Sequence, residues 1–377
     1  MGDEALTLRV LETLAGVDPG QWNALAEGHP FLRHEFLHAL HQSGCASERT
    51  GWVPQYLTLW RDGRLAGAMP LYLKSHSRGE YVFDWAWADA YYRHGLEYYP
   101  KLLGAVPFSP VTGPRLLAPT RSTRTRLARA ALELAKSTSS LHVLFPTPED
   151  AEELRQRGLM LRRGVQFHWR NEGYASFDEF LSLLTHDKRK KIRQERRKVR
   201  ETGAVFRRLT GADLREEHWR FFTRCYNATY RAHHSTPYLS HAFFQRLGQV
   251  MPEHVLLVIA ELEGKPVAAA LNLFGPDVLY GRYWGSEGYV PNLHFETCYY
   301  QAIEFCIERS IAVFEGGAQG EHKLSRGFSP VETASAHWLK HPGFSDAVEK
   351  FLGQESEGVE RYLDELTERS PFRNERA

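Results

Sequence analysis

The chain has little cysteine: Cys45, Cys225, Cys298 and Cys306 are the only four in 377 residues, far apart and without a C-x-x-C pair. That excludes a disulfide framework and a thiolate zinc site, and it fits a reducing, cytoplasmic setting. Long apolar runs are also missing. The longest, Val255 to Ala260, falls far short of the ~18 residues of a membrane span, so no membrane insertion is expected. The acidic start Met1-Gly-Asp-Glu4 leads into no apolar stretch and reads as no signal peptide, while Leu6 breaks a myristoylation pattern. Net charge is nearly absent: 47 basic against 46 acidic residues leave +1, so any nucleic-acid contact must rest on a local patch. What is present is 42 % apolar residues with 12 % aromatics, enough for packed cores. The length exceeds twice the ~150-residue prior for one domain, so two domains are expected.

The two halves repeat each other. Leu14–Asp18 and Leu209–Asp213 share L-x-G-x-D, and Trp22 answers Trp219. Pro30-Phe-Leu with His34 and Phe36 parallels Pro237-Tyr-Leu with His241 and Phe243. Asp62-Gly63 matches Glu263-Gly264, Tyr81 and Trp85 match Tyr280 and Trp284, and Tyr98-Tyr99 matches Tyr299-Tyr300. Last, Gly158 through His168-Trp169 has the spacing of Gly327 through His337-Trp338. The expected organisation is an N-terminal domain over 1–169, a connecting segment over 170–203 and a C-terminal domain over 204–377. In the second copy, Val255–Leu262 and Pro266–Phe274 read as a hairpin and Val278–Trp284 as a third strand. A helix over Leu293–Ser310, a short strand over Ile311–Glu315 and a last strand ending at Trp338 follow. This order predicts an α+β fold present twice, each copy a mixed central sheet flanked by helices.

Several strings carry a family resemblance: Glu80-Tyr-Val-Phe-Asp-Trp-Ala-Trp87, Gln166-Phe-His-Trp169, Lys188-Arg-Lys-Lys-Ile-Arg193, Leu293-His-Phe-Glu296 and Phe314-Glu-Gly-Gly317 through Lys323. Together they resemble the FemAB-like branch of the Fem family, GNAT-type proteins of peptidoglycan biosynthesis and recognition. The resemblance implies two tandem GNAT-like domains and an N-acyltransferase acting on an amine. It implies no tightly bound cofactor, with acyl-CoA or aminoacyl-tRNA as donor and a small-molecule or peptide amine as acceptor. In such folds the donor enters a wedge between the third meander strand and the strand after the following helix. Here that wedge would lie between Leu279–Gly285 and Val313–Glu315. The R/Q-x-x-G-x-G/A turn of acetyl-CoA enzymes is absent from Gly285-Ser-Glu-Gly288-Tyr-Val-Pro-Asn292, so CoA is not assured.

Acyl transfer to an amine needs a proton acceptor and donors for the developing oxyanion. Glu315, at a strand end beside two glycines, is the candidate base, with His322 and Lys323 in the loop that follows. Lys323, or else Arg326, falls near a substrate-contacting lysine of Fem-type proteins. Arg282, Tyr283 and Trp284 are candidate cleft residues, and His294 and Glu296 lie in the first turn of the next helix. In the N-terminal copy Asp84, Trp85 and Trp87 suggest a sugar- or peptide-binding surface. Chemistry is therefore expected in the C-terminal domain and recognition in the N-terminal one.

Between the copies, Lys188 to Arg200 is densely basic, with Ile192 and Val199 as its apolar stripe and Gly203 as its cap. Lys188, Arg189, Lys191 and Arg193 are candidate phosphate contacts for tRNA or a nucleotide-linked sugar. His34-Glu35-Phe-Leu-His38 is a literal H-E-x-x-H. The second copy keeps only His241 of it, so no metal is expected and a zinc hydrolase is the weakest reading. A non-catalytic binder of a peptidoglycan precursor, peptide or RNA is the stronger alternative.

Overall fold

The protein is described by a computed structural model over residues 6–317 and 320–373. It divides into two compact units that do not coincide with the chain halves. Unit 1 is Met1–Gly164 with Glu332–Arg361, and unit 2 is Val165–Val331 with Tyr362–Ala377. The seam expected near residue 170 thus has a partner in the C-terminal segment: the last repeated box belongs to unit 1.

In unit 2 the strands run in the order Val205–Leu209, Val255–Leu262, Lys265–Phe274, Val278–Ser286, Val313–Glu315 and then His168–Arg170. Neighbours are antiparallel except Val278–Ser286 with Val313–Glu315, which are parallel and joined by the helical stretch Leu293–Glu308. Unit 1 has the corresponding parallel pair in Lys101–Gly104 and Ser140–Leu144, joined by helix Arg121–Ala135. Its last strand is Ser335–Leu339, paired antiparallel with Ser140–Leu144. Each copy of the repeat therefore ends in a strand that completes the sheet holding the other copy's parallel pair.

The hairpin turns follow from two residue types. Asp62-Gly63 and Glu263-Gly264 all have φ between +48° and +76°, the left-handed pair of a type I′ turn that matches strand twist. In unit 1, Pro70 interrupts the returning strand, because it cannot donate to a ladder. The outer ends Tyr56–Arg61 and Arg64–Met69 then form a separate sheet with Thr7–Leu11. The pairing of Trp85 with Trp284 is corrected here. Trp284 lies in a strand, whereas Trp85 opens helix Trp85–Arg93. Trp87 and Tyr91, one turn apart, are its buried positions, and the alanines at 86, 88 and 90 favour helix.

The interior of unit 1 carries unusual charge. Lys101 and Lys74 are fully buried, and so, nearly, are Glu80 and Asp84. The Lys101 ammonium donates to Asp84, to Glu80 at 2.8 Å and to Ser77 at 2.8 Å. Tyr98 donates to Asp84 at 2.6 Å. His142 and His337 face each other, Nδ1 to Nδ1 at 2.8 Å, and each Nε2 lies 2.8 Å from a serine hydroxyl, Ser140 or Ser335. Burial holds His142 down to about 3 and drives His337 well below its ordinary range; it also lowers His29 to about 3. An unfolded chain takes up these protons near pH 6.5, so it binds more protons than the native state as pH falls towards 3. Stability should therefore decline below pH 6.5, by up to about 1.4 kcal/mol per pH unit for each imidazole. Urea midpoints measured from pH 7 to pH 5 check this; a flat profile would show that these imidazoles take up protons in the folded state.

Candidate active site

Val278–Ser286 and Val313–Glu315 pair only over Val278↔Val313, Leu279↔Phe314 and Tyr280↔Glu315. The longer strand continues to Ser286 while the shorter one ends, so the parallel ladder stops at Glu315, the place that the sequence assigns to a wedge. A bulge opposite Leu271/Asn272 leaves Arg282 outside the ladder, and such bulges re-aim side chains. Tyr283 packs on Tyr226 at 5.3 Å, among the helices of one sheet face, and Trp284 meets His294 at 5.2 Å on the helix that follows. Of the two rings, Trp284 is the one packed against the wedge helix.

Glu315 closes the short strand and is 7 % exposed. Across the sheet it pairs with His168, whose Nε2 is 3.9 Å from Oε1. Burial first, then Arg170 and Lys323, lower His168 to about 4, so the imidazole is neutral near pH 7. Gly316 follows because a Cβ there would lie 2.8 Å from the Phe328 ring and 3.2 Å from the Lys323 side chain. Ala318 and Gln319 of this loop lie outside the described residues. Lys323, 2 % exposed, donates to the Gly317 carbonyl at 2.9 Å. Burial and the Arg282 guanidinium lower its ammonium to about 8, against a smaller upward pull from Cys298. Buried, close to neutrality and at the wedge, it has the profile of a functional amine.

The helix over the wedge is not regular. Leu293–Phe295 is α, Glu296–Tyr300 is π and Gln301–Glu308 is α again. Such single π-turns are frequent at functional sites. This one presents Tyr299, whose hydroxyl lies 3.1 Å from His322 Nε2. His322 is exposed on one side; partial burial, then Arg326 and Lys323, lower it to about 4. His294, lowered to about 4 mainly by burial, stacks among Trp284, Phe295 and Tyr299. Glu296 is buried and accepts from Arg196 at 2.9 and 3.1 Å and from Gln301 at 2.9 Å. Arg326 is 1 % exposed, lies 3.4 Å over the Phe295 ring and donates to Glu195 at 2.8 Å and to the His322 carbonyl at 2.7 Å. It braces the loop from inside.

The basic helix spans His186–Glu201. Lys188 reaches Ser325 at 3.5 Å, Arg189 donates to the Ser182 and Leu184 carbonyls, Arg193 lies 3.4 Å from Asp178, and Lys191 is exposed on the side that influences His322. In unit 1, Asp84 is committed to Lys101 and Tyr98, Trp87 packs on His337 at 5.0 Å, and Trp85 is 45 % exposed. The H-E-x-x-H side chains have structural partners: His34 bonds the Leu14 carbonyl at 2.9 Å and Glu35 accepts from Asn23 and Arg33. Among the described residues no group of three His, Cys, Asp or Glu could hold a metal. Sequence reading missed His168 as a wedge residue. Its signal was the repeated His-Trp box, whose strand crosses to the other unit.

In unit 1 the segment beyond the parallel pair is tied back by a buried arginine. Beyond Ser140–Leu144 the fully buried Arg115 donates to the Leu144 carbonyl at 2.9 Å, Gly113 at 3.0 Å and Val111 at 2.5 Å. Asp150 secures the same loop by accepting from the Arg115 and Leu116 amides at 2.6 and 2.9 Å.

No helix of the described residues is long and apolar enough to cross a membrane. No curated protein sequence matches the chain. Among solved structures it is similar to FemX, at 13 % identity and TM-score 0.57 over 88 % of this chain and 98 % of that one. It is also similar to the C-terminal domain of a putative lysylphosphatidylglycerol synthetase from Agrobacterium fabrum, at 9 % identity and TM-score 0.56 over 90 % and 96 %. L-PGS from Bacillus licheniformis matches at 12 % identity and TM-score 0.51 over 89 % and 97 %. These likenesses carry the fold. The FemAB-like family, described as peptidoglycan biosynthesis/recognition, matches residues 13–374, nearly the whole chain, and the protein belongs to that family.

Proposed function

We propose that unit 2 is the catalytic unit of a transferase that moves an acyl or aminoacyl group onto an amine, and that unit 1 serves recognition. The observation that carries this reading is the contrast between the two parallel strand pairs. One ends at Glu315 with Lys323 in the loop that follows; beyond the other, the Arg115 guanidinium ties the chain back to the Leu144 carbonyl. The acceptor nitrogen attacks the acyl carbonyl, its proton passes to Glu315, and the bond to the donor's oxygen or sulfur breaks. The Lys323 ammonium and the loop amides supply positive charge for the oxyanion. His322, hydrogen-bonded to Tyr299, borders the same loop.

For the donor, the helix start is poorly suited to pyrophosphate. The Leu293, Phe295 and Glu296 amides already bond to the Val290 and Asn292 carbonyls, and a carboxylate follows in the first turn. Lys188 and Lys191, on the loop side of the basic helix, are better phosphate contacts. This favours an aminoacyl-tRNA or nucleotide-linked donor over acetyl-CoA, and the lysyl group in the name of the Agrobacterium neighbour is in keeping with it.

A thermal-shift panel of acetyl-CoA, CoA, charged tRNA and UDP-linked muropeptide tests the reading. A true ligand at a hundred times its Kd stabilises by about 2.7 kcal/mol. Silence across the panel removes the transferase, and binding without turnover favours a recognition module. Lys323 adds a pH signature. Acting as a cation, it loses its charge as pH rises through about 8, so turnover should fall above that pH. Lys323→Arg should move the fall upward, since a guanidinium stays charged.

A further inference from the structure

The basic helix presents charge on two sides. Lys188 and Lys191 face the wedge loop. Arg189, Arg193, Arg196 and Arg200 follow at i, i+4, i+7 and i+11, one helical face about 16 Å long. That face, with Lys190 and Arg197, lines an open groove of about 830 Å³ floored by Phe177 and Leu181. Among the described residues that line it, the carboxylates are Asp178 and Glu304. Exposed pairs such as Arg193–Asp178 at 3.4 Å do little to neutralise it.

Arg196 is the exception in this row because it is held from below. Its Nε and Nη2 donate to Glu296 and its Nη1 to Glu304 at 2.7 Å, and Phe177 lies 4.5 Å under the guanidinium. Three of its five N–H donors are engaged; two remain for a ligand. Glu296 begins the π-turn that carries Tyr299 to His322. On the neighbouring residue, Glu195 accepts from both Tyr300 and Arg326, and Arg326 holds the His322 carbonyl. Ion pairs and hydrogen bonds of the adjacent residues Glu195 and Arg196 thus run from the groove to the wedge loop, one set through Glu296 and the π-turn and the other through Arg326.

We propose that this groove is a binding site for a linear anion of three or more phosphates, and that its occupancy is transmitted to the wedge through Arg196, Glu296 and the π-turn. The ligand would share the cation that now neutralises Glu296 and Glu304, and so loosen the seat of Tyr299 and His322. Only the purpose of this coupling rests on the transferase reading, since the test uses no acyl transfer.

Tripolyphosphate is titrated calorimetrically into the full-length protein at 50 and 200 mM salt. Saturable binding that weakens at least tenfold at the higher salt is expected, as is a tenfold loss in Arg193→Ala/Arg197→Ala. Glu304→Gln removes a competing carboxylate and should tighten binding several-fold. In protein labelled with 15N-histidine, the His322 signal, assigned with His322→Gln, should move on saturation of the wild type. A 12-nucleotide RNA is the competitor: displacement at equal phosphate concentration identifies a diester backbone as the source, and its failure identifies free polyphosphate. No saturable binding at 50 mM salt overturns the site. Binding that leaves His322 unmoved, or an unchanged affinity in Glu304→Gln, overturns the coupling.

Discussion

Replacing Glu315 with Gln should lower kcat for acyl transfer by roughly 10²- to 10⁴-fold, the usual worth of a positioned general base. The amide keeps the size of the side chain at the end of Val313–Glu315 and can still accept a hydrogen bond, but it cannot take the proton that leaves the attacking amine. Donor binding, read as thermal shift, should stay close to wild type, so the loss falls on kcat rather than on KM. A Gln variant within threefold of wild type would remove Glu315 from the reaction.

The second large effect concerns stability. Lys101→Met takes away the cation shared by Asp84 and Glu80, leaving two carboxylates in an interior where both are almost unexposed. Breaking a buried pair from one side costs about 3–5 kcal/mol, which for a unit of this size is a fall in Tm of roughly 10 °C. Adding Glu80→Gln and Asp84→Asn to Lys101→Met should restore part of the loss, because no carboxylate charge is then stranded and Lys74, 3.8 Å from Glu80 and lowered to about 7 mainly by burial, can give up its proton. Thermal and urea denaturation of the single and triple variants measures both changes. Equal stability of single variant and wild type would mean that water reaches the cluster.

Much of the site region was legible because its signals are local. The Glu263-Gly264 turn sets the hairpin, alternation marks Val278–Trp284, and the density of charge with Ile192 and Val199 marks the basic helix. The repeat located the His-Trp boxes but not their destinations. A strand pairing between residues as far apart as His142 and His337 leaves no trace in nearby sequence. Charge misled in the same way. Asp84 and Arg326 look like surface groups by type, yet each has a buried partner contributed by a distant segment, Lys101 and Glu195. Aromatic spacing at Tyr81, Phe83, Trp85 and Trp87 imitates a strand, and only the contacts of Trp87 and Tyr91 resolve it as a helix.

The terminal strand of unit 1 also sets a timetable. During synthesis, Ser140–Leu144 leaves the ribosome about 195 residues before its partner Ser335–Leu339. At ~5–20 residues per second that is a wait of roughly 10–40 s. Throughout it, a hydrophobic sheet edge ending at Leu144 and Phe145 stands without its neighbour. The nascent chain must therefore hold an unfinished unit while Val165–Val331 of the other is made, a period in which chaperones or a second nascent copy have their clearest opportunity to bind.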